Sequence, residues 1–383
     1  MKIRKTDILL FLFIFASYPP NMLMAYSVIK LLCNIIQMIG FTYLLMILIK
    51  KRNISSLFML MFIFNLSLFI STFLGNKQIY RCVVEIFNNL GMPILLTCEI
   101  ISFRQIVKIG YKYFGLLCSI NFLSLLIGVF IKGLEADDSV FIIDSNGITI
   151  YYIITIVLTV LYSELYQINV RGRIIYLCLV CSVSEVLVWS GTGMIAWFLF
   201  LIIYMWSQKG KKSRIPYFIT NIGTNLASII LVLAGVSPIF QSVLDFLGKD
   251  ATLTGRTYIW AAAISKFWRS PVLGYGYGEL AHLQYVAHNQ ILQLLINGGL
   301  LLLVLFYTMY VYIGMKERKL ENDLAKSKGV SIMKAALMGI GIDMMTEIEP
   351  IAIMFLVLGI FDRYISIGYK NNEYGSKDRE KYE

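Results

Sequence analysis

Charge is scarce in this sequence. Asp, Glu, Lys and Arg make up 15% of its 383 residues, hydrophobic residues 58%, and the mean hydropathy is +0.72. That shortage excludes a soluble globular domain. The short alternating segments of roughly 10 residues that build a transmembrane barrel are missing too; the apolar runs here are about 20 residues long and apolar on every face. Gly274-Tyr275-Gly276-Tyr277-Gly278 lacks the strand and the Lys-Ser/Thr pair of a nucleotide loop, so neither a Walker loop nor a dinucleotide fingerprint is present. No low-complexity tract is found, and no internal repeat of the kind that builds two-halved secondary transporters. All six cysteines lie in or beside apolar runs, which suits packing better than disulfides. The CxxC spacing of Cys178 and Cys181 falls mid-run and reads the same way.

What remains is a polytopic, all-α integral membrane protein. Apolar runs at 8–24, 28–49, 55–74, 82–101, 113–131, 150–168, 174–189, 194–206, 217–233, 291–313, 330–345 and 351–367 give about twelve spans by the 20-residue criterion. The first follows Lys2, Arg4 and Lys5, contains Pro19-Pro20 and has no small-residue cleavage site, so a retained anchor is expected. The net charge of +11 sits in clusters at run ends: Lys50-Lys51-Arg52, Arg104 with Lys108 and Lys112, Arg171 with Arg173, 209–214 and 316–328. The positive-inside rule puts these clusters and both termini in the cytoplasm, and explains the charge without nucleic acid. Residues 1–383 are then one membrane domain, with a large extracytoplasmic loop at 235–287.

Polar, aromatic and glycine residues concentrate in 254–299. Ile259, Trp260, Ala263, Ile264, Phe267 and Trp268 recur at helical spacing, predicting an amphipathic helix along the outer membrane surface with both tryptophans among headgroups. Lys266 and Arg269 would face lipid phosphates or a phosphorylated lipid. Arg256 stands at the helix start, where a cation is unfavourable unless an anion is present. The Gly274–Gly278 turn either cradles an anion on exposed N–H groups or simply connects back to the bilayer. His288, one of two histidines, stands at the outer mouth of the tenth span as a general-base candidate; a water-satisfied interfacial histidine is the plainer alternative. Asn289 is placed to cap that span. Glu85, Glu185 and Asp343 fall in outer halves of spans, where carboxylates face a cavity or a partner.

Arg256-Thr257-x-Ile259-Trp260, then Ser270-Pro271-x-Leu273-Gly274-Tyr275-Gly276-x-Gly278, then His288-Asn289-x-x-Leu292-Gln293 and Gly298 resemble the signature region of the O-antigen ligase and polysaccharide polymerase superfamily. The resemblance implies a metal-independent, inverting glycosyltransferase, without cofactor, acting on polyprenyl-diphosphate-linked oligosaccharide at the outer face. It makes Arg256 the diphosphate clamp and places His288, as base, at the acceptor hydroxyl with Asn289 supporting it; Asn289 and, from the residue pattern itself, Arg269, Gly274 and Gly276 are expected to bind substrate. Ser190-Gly191-Thr192-Gly193 resembles a family position where many members carry arginine instead of Thr192, leaving a second cation to be found among Arg81, Lys77 and Arg269. A polymerase of capsule, exopolysaccharide or O-antigen repeats is the expected function. A ligase of the same superfamily and a flippase of the lipid-linked repeat are the alternatives. A flippase and a chain-length regulator are the expected protein partners.

Overall fold

The computed structural model describes residues 4–51, 54–75, 78–98, 101–143, 147–209, 216–233, 256–278, 287–320 and 327–379, without the side chains of 98, 208, 209, 219, 231–233, 256–258 and 369–379. Among the described residues every regular element is helical. In chain order these are α1 (Lys5–Ser17), α2 (Asn21–Met24), α3 (Ser27–Lys51), α4 (Ser56–Leu74), α5 (Ile79–Cys98), α6 (Phe103–Leu126) and α7 (Ala136–Ser139). There follow α8 (Ile148–Tyr166), α9 (Arg171–Val188), α10 (Gly191–Lys209), α11 (Gly223–Leu233), α12 (Arg256–Phe267), α13 (Gln290–Arg318), α14 (Lys328–Asp343) and α15 (Ile351–Arg379).

Seven of these helices are long and apolar enough to cross a membrane, and α10 contributes a shorter apolar helix. These helices bear out a polytopic helical membrane protein, without fixing the expected number of about twelve spans. Pro19 and Pro20 end α1 after 13 residues, because proline bars the α conformation before it and removes a donor. At 1.5 Å per residue such a helix covers about 20 Å of a hydrocarbon layer of about 30 Å. The run at 217–233 likewise divides into a π-turn, Phe218–Ile222, and the 11 residues of α11.

Helices α8 and α14 form the centre. Every residue of α8 from Ile148 to Leu161 is buried, and α14 packs between α8 and α10. Helix α3 does the opposite, exposing Val28, Leu31, Ile35, Ile39, Met46 and Ile49, as a helix facing acyl chains does. The described cysteines are free thiols.

One end of the bundle gathers the C-terminus of α4, the start of α5, the turns between α9 and α10 and between α14 and α15, and the start of α13. This is the end that the charge pattern assigns outside. Helix α13 breaks there at Gly298 and Gly299, whose backbones are non-helical. The break frees polar backbone groups that have no water to turn to inside a membrane, and the segment after α12 supplies partners. Tyr275 N–H donates to Ile296 O at 2.8 Å, Gly276 N–H to Asn297 O at 2.9 Å, and Leu300 N–H to Pro271 O at 2.8 Å.

Candidate active site

The glycine segment is tied down on both sides. Gly274 and Gly276 have φ of 64° and 93°, a region that favours glycine. A Cβ on Gly274 would stand 2.6 Å from Ile296 O, and one on Gly276 2.6 Å from Thr72 Cα. Gly274 N–H donates to Ser270 O at 3.1 Å and Tyr277 N–H to Thr72 Oγ1 at 3.0 Å. Ser71 Oγ adds a bond to Asn297 O at 2.7 Å. The N–H groups from 274 to 277 are thus engaged within the fold, and the glycines serve close approach of the segment to α4 and α13.

Beside this segment lies a cavity of about 440 Å³. Its polar wall comes from α5 (Arg81, Glu85, Asn89), the glycine segment (Tyr277), α13 (Gln290, Gln293, Asn297) and the turn before α15 (Glu349). Helical spacing puts Arg81, Glu85 and Asn89 on one face of α5. The Tyr277 hydroxyl hydrogen-bonds Glu85, and burial, then the nearby Glu85 carboxyl, raises the Tyr277 phenol above its ordinary range. Gln293 Nε2 donates to Asn297 Oδ1 at 2.9 Å, so two signature-region amides are held side by side on α13. Of the cations considered for a second site, Arg81 lines the cavity, Arg269 is exposed beyond α12, and Lys77 lies outside the described residues.

His288 sits immediately before the cap of α13. Its φ is 45°, a conformation that costs a non-glycine residue about 1–3 kcal/mol and persists only where the surroundings impose it. Asn289 imposes it: Oδ1 accepts from Leu292 N–H at 3.0 Å, while Nδ2 donates to Ser228 Oγ at 2.9 Å and Met345 O at 2.8 Å. The buried Asn289 amide is thereby used within the fold, as cap and as a strap to the α14–α15 turn. His288 Nδ1 stands 3.6 Å from Glu347 Oε2 in that same turn, just beyond a direct hydrogen bond. By sequence alone Glu347 has no role at the site. The Glu347-Ile348-Glu349-Pro350 cluster between two apolar runs was the signal available.

The remaining expected residues separate. Thr192 Oγ1 lies 2.6 Å from Thr346 Oγ1, so its turn touches the residue before Glu347. Glu185 is fully buried below that turn, its Oε1 accepting from Thr149 Oγ1 at 2.7 Å; Asp343 is buried at the end of α14. Helix α12 corrects the headgroup reading of Trp260. That ring is 3% exposed, packs with Ala263 and Phe267 against Leu292 and Ile296, and donates Nε1–H to Ala287 O at 2.9 Å. Trp268 is 70% exposed. Lys266 Nζ lies 5.0 Å above the Tyr275 ring. The Arg256 side chain and the second histidine, His282, lie outside the described residues. Among the described residues no group of three or more His, Cys, Asp or Glu could hold a metal ion.

No curated protein and no solved structure matches the chain. Residues 176–307, which run from α9 through the glycine segment and His288 into α13, match the Wzy_C family model, described as O-antigen ligase, so this part of the chain is similar to the O-antigen ligase and polymerase-like superfamily, in agreement with the motifs.

Proposed function

We propose that the protein is a glycosyltransferase that polymerises a cell-surface polysaccharide from polyprenyl-diphosphate-linked repeat units at the outer face of the membrane. The observation that carries this reading is the meeting of parts of the signature region: Gly278 and Gln293, with Tyr277 and Asn297 beside them, line one cavity, and His288, just before the cap of α13, stands against Glu347. Such a cavity suits a hydroxyl-rich substrate inside an apolar bundle, where polar side chains are costly and functional by default.

With its Nδ1–H directed at Glu347, His288 keeps Nε2 free to accept a proton. The acceptor sugar hydroxyl gives that proton to Nε2 as its oxygen attacks the anomeric carbon of the donor. The bond from that carbon to the diphosphate oxygen breaks, polyprenyl diphosphate leaves, and the configuration inverts. Glu347 stabilises the imidazolium that forms, and Arg256 takes up the charge of the leaving diphosphate. A positioned base contributes about 10²–10⁴-fold, and one charged contact to the leaving group about 10²–10³-fold. His288→Ala and Arg256→Ala should each all but abolish polymer.

The family description favours a second reading with the same chemistry, a ligase passing finished glycan to a terminal acceptor. The test is mass-resolved analysis of lipid-linked and surface glycan in a deletion strain complemented with wild type or either variant at equal protein levels. Single repeats accumulating outside support the polymerase, and full-length glycan stranded on lipid supports the ligase. Repeats held on the inner leaflet, or wild-type chain lengths in both variants, would sink the reading.

A further inference from the structure

We propose that the face of α5 bearing Arg81, Glu85 and Asn89 is a carbohydrate-binding subsite, which takes the sugar hydroxyls of the repeat unit and is separate from the place that holds the diphosphate. This inference rests on the glycosyltransferase reading. Helix α5 is a candidate membrane span, in which ionisable and amide side chains face a cavity or a partner. The three residues follow one another at spacing i, i+4 and i+8 and line the same cavity. They descend into it: Arg81 is exposed, Glu85 half-buried and Asn89 fully buried.

Asn89 points to a ligand. Its amide orientation follows from its neighbours, since Asn65 Nδ2 donates to Met61 O at 2.8 Å and therefore offers Oδ1 to Asn89 Nδ2 at 3.0 Å. That leaves Asn89 Oδ1 buried, with no hydrogen-bond partner among the described residues. A polar side chain serving only as glue between helices would have both ends satisfied. An orphaned acceptor at the floor of a cavity asks for a donor from outside the protein.

The chemistry of the wall narrows what that donor belongs to. Glu85 and Glu349 both line the cavity and are unfavourable for a diphosphate, whose oxygens are acceptors of like charge. A polyhydroxylated sugar supplies O–H donors to Glu85 and Asn89, and its C–H face can lie against the Tyr277 ring. The volume, about 440 Å³, falls within the roughly 300–1,000 Å³ of small-molecule sites.

The test is equilibrium binding to the purified full-length protein in detergent. One probe is the repeat-unit oligosaccharide released by mild acid from the polyprenyl diphosphate of the deletion strain, and the other is polyprenyl diphosphate without sugar. Glu85→Gln keeps size and one acceptor while replacing the other with a donor; Gln78→Ala trims the cavity mouth, where Gln78 is a lining residue. Both variants are expected to weaken oligosaccharide binding about tenfold and leave polyprenyl diphosphate binding unchanged. Unchanged oligosaccharide affinity in both variants overturns the subsite, as does an equal loss for both probes. Wild type that binds polyprenyl diphosphate but not oligosaccharide overturns it while leaving the glycosyltransferase reading standing. Wild type that binds neither probe brings down both together.

Discussion

At the end of the bundle rich in lysine and arginine, Lys316 Nζ donates to Asp362 Oδ1 at 2.5 Å and to Ser366 Oγ at 2.8 Å, and Lys334 Nζ reaches Glu317 Oε1 at 2.8 Å. Each of these cations lies on a carboxylate from a neighbouring helix, and the second pair is almost wholly shielded, Lys334 being 1% exposed. At the opposite end Arg81, Glu85 and Asn89 line open space, and His288 stops 3.6 Å short of Glu347. The contrast separates two uses of polar groups in an apolar protein. Charges closed on one another hold helices in register, while those facing a cavity cost stability that only a ligand returns.

The largest stability effect belongs to the closed pair. Removing one partner strands a buried charge, which costs about 3–5 kcal/mol, whereas replacing both with apolar residues of similar size is often neutral. Lys334→Met should sharply lower the unfolding temperature in detergent, and adding Glu317→Leu should restore most of it. Protein rescued in this way should make glycan of normal length, since neither residue lines the cavity. An unshifted unfolding temperature in Lys334→Met would break the comparison by showing that this end, too, is indifferent to its charges.

A smaller effect is expected at Gly276, where the site end depends on backbone shape. With φ at 93° and Thr72 Cα 2.6 Å from the space a Cβ would fill, Gly276→Ala imposes strain of about 1–3 kcal/mol. Because the obstacle is backbone, the glycine segment must move away from α4, and Tyr277, the next residue, moves with it. Polymer length should fall further in this variant than in any at the basic end with the same loss of unfolding temperature. Equal losses would mean that the segment serves the fold alone.

Much of this was legible in the sequence because hydrocarbon runs report a membrane helix directly, although the run at 8–24 reads through Pro19-Pro20, where α1 stops. What composition does not report is which apolar helix faces lipid and which faces protein. Helices α3 and α8 read alike, yet one is mostly exposed and the other buried throughout its first 14 residues, because acyl chains and leucine side chains are equally apolar. Trp260 misled for the same reason: an indole suits headgroups or a packed core, and only the Ala287 carbonyl decides. The Arg81, Glu85 and Asn89 spacing was visible, but the cavity that gives it meaning is closed by Tyr277 and α13, far along the chain. Glu347 was hidden similarly, since nothing local links it to a histidine about sixty residues earlier.

The smallest stability effect sharpens the comparison most. Trp260 Nε1–H bonds the carbonyl of Ala287 at 2.9 Å, and Ala287 is the residue before His288. Trp260→Phe keeps an aromatic ring among Phe267, Leu292 and Ile296 but loses the donor, so the unfolding free energy should drop by only about 1 kcal/mol. The backbone that presents His288 in its left-handed conformation loses one of its ties, and a misplacement of about 1 Å at a reacting group can cost on the order of 100-fold in rate. Polymer synthesis should therefore fall well beyond what the lost stability explains, with protein levels nearly unchanged. A proportionate loss of both would place Trp260 with the closed pairs of the basic end, as a residue that holds the fold and leaves the histidine to hold itself.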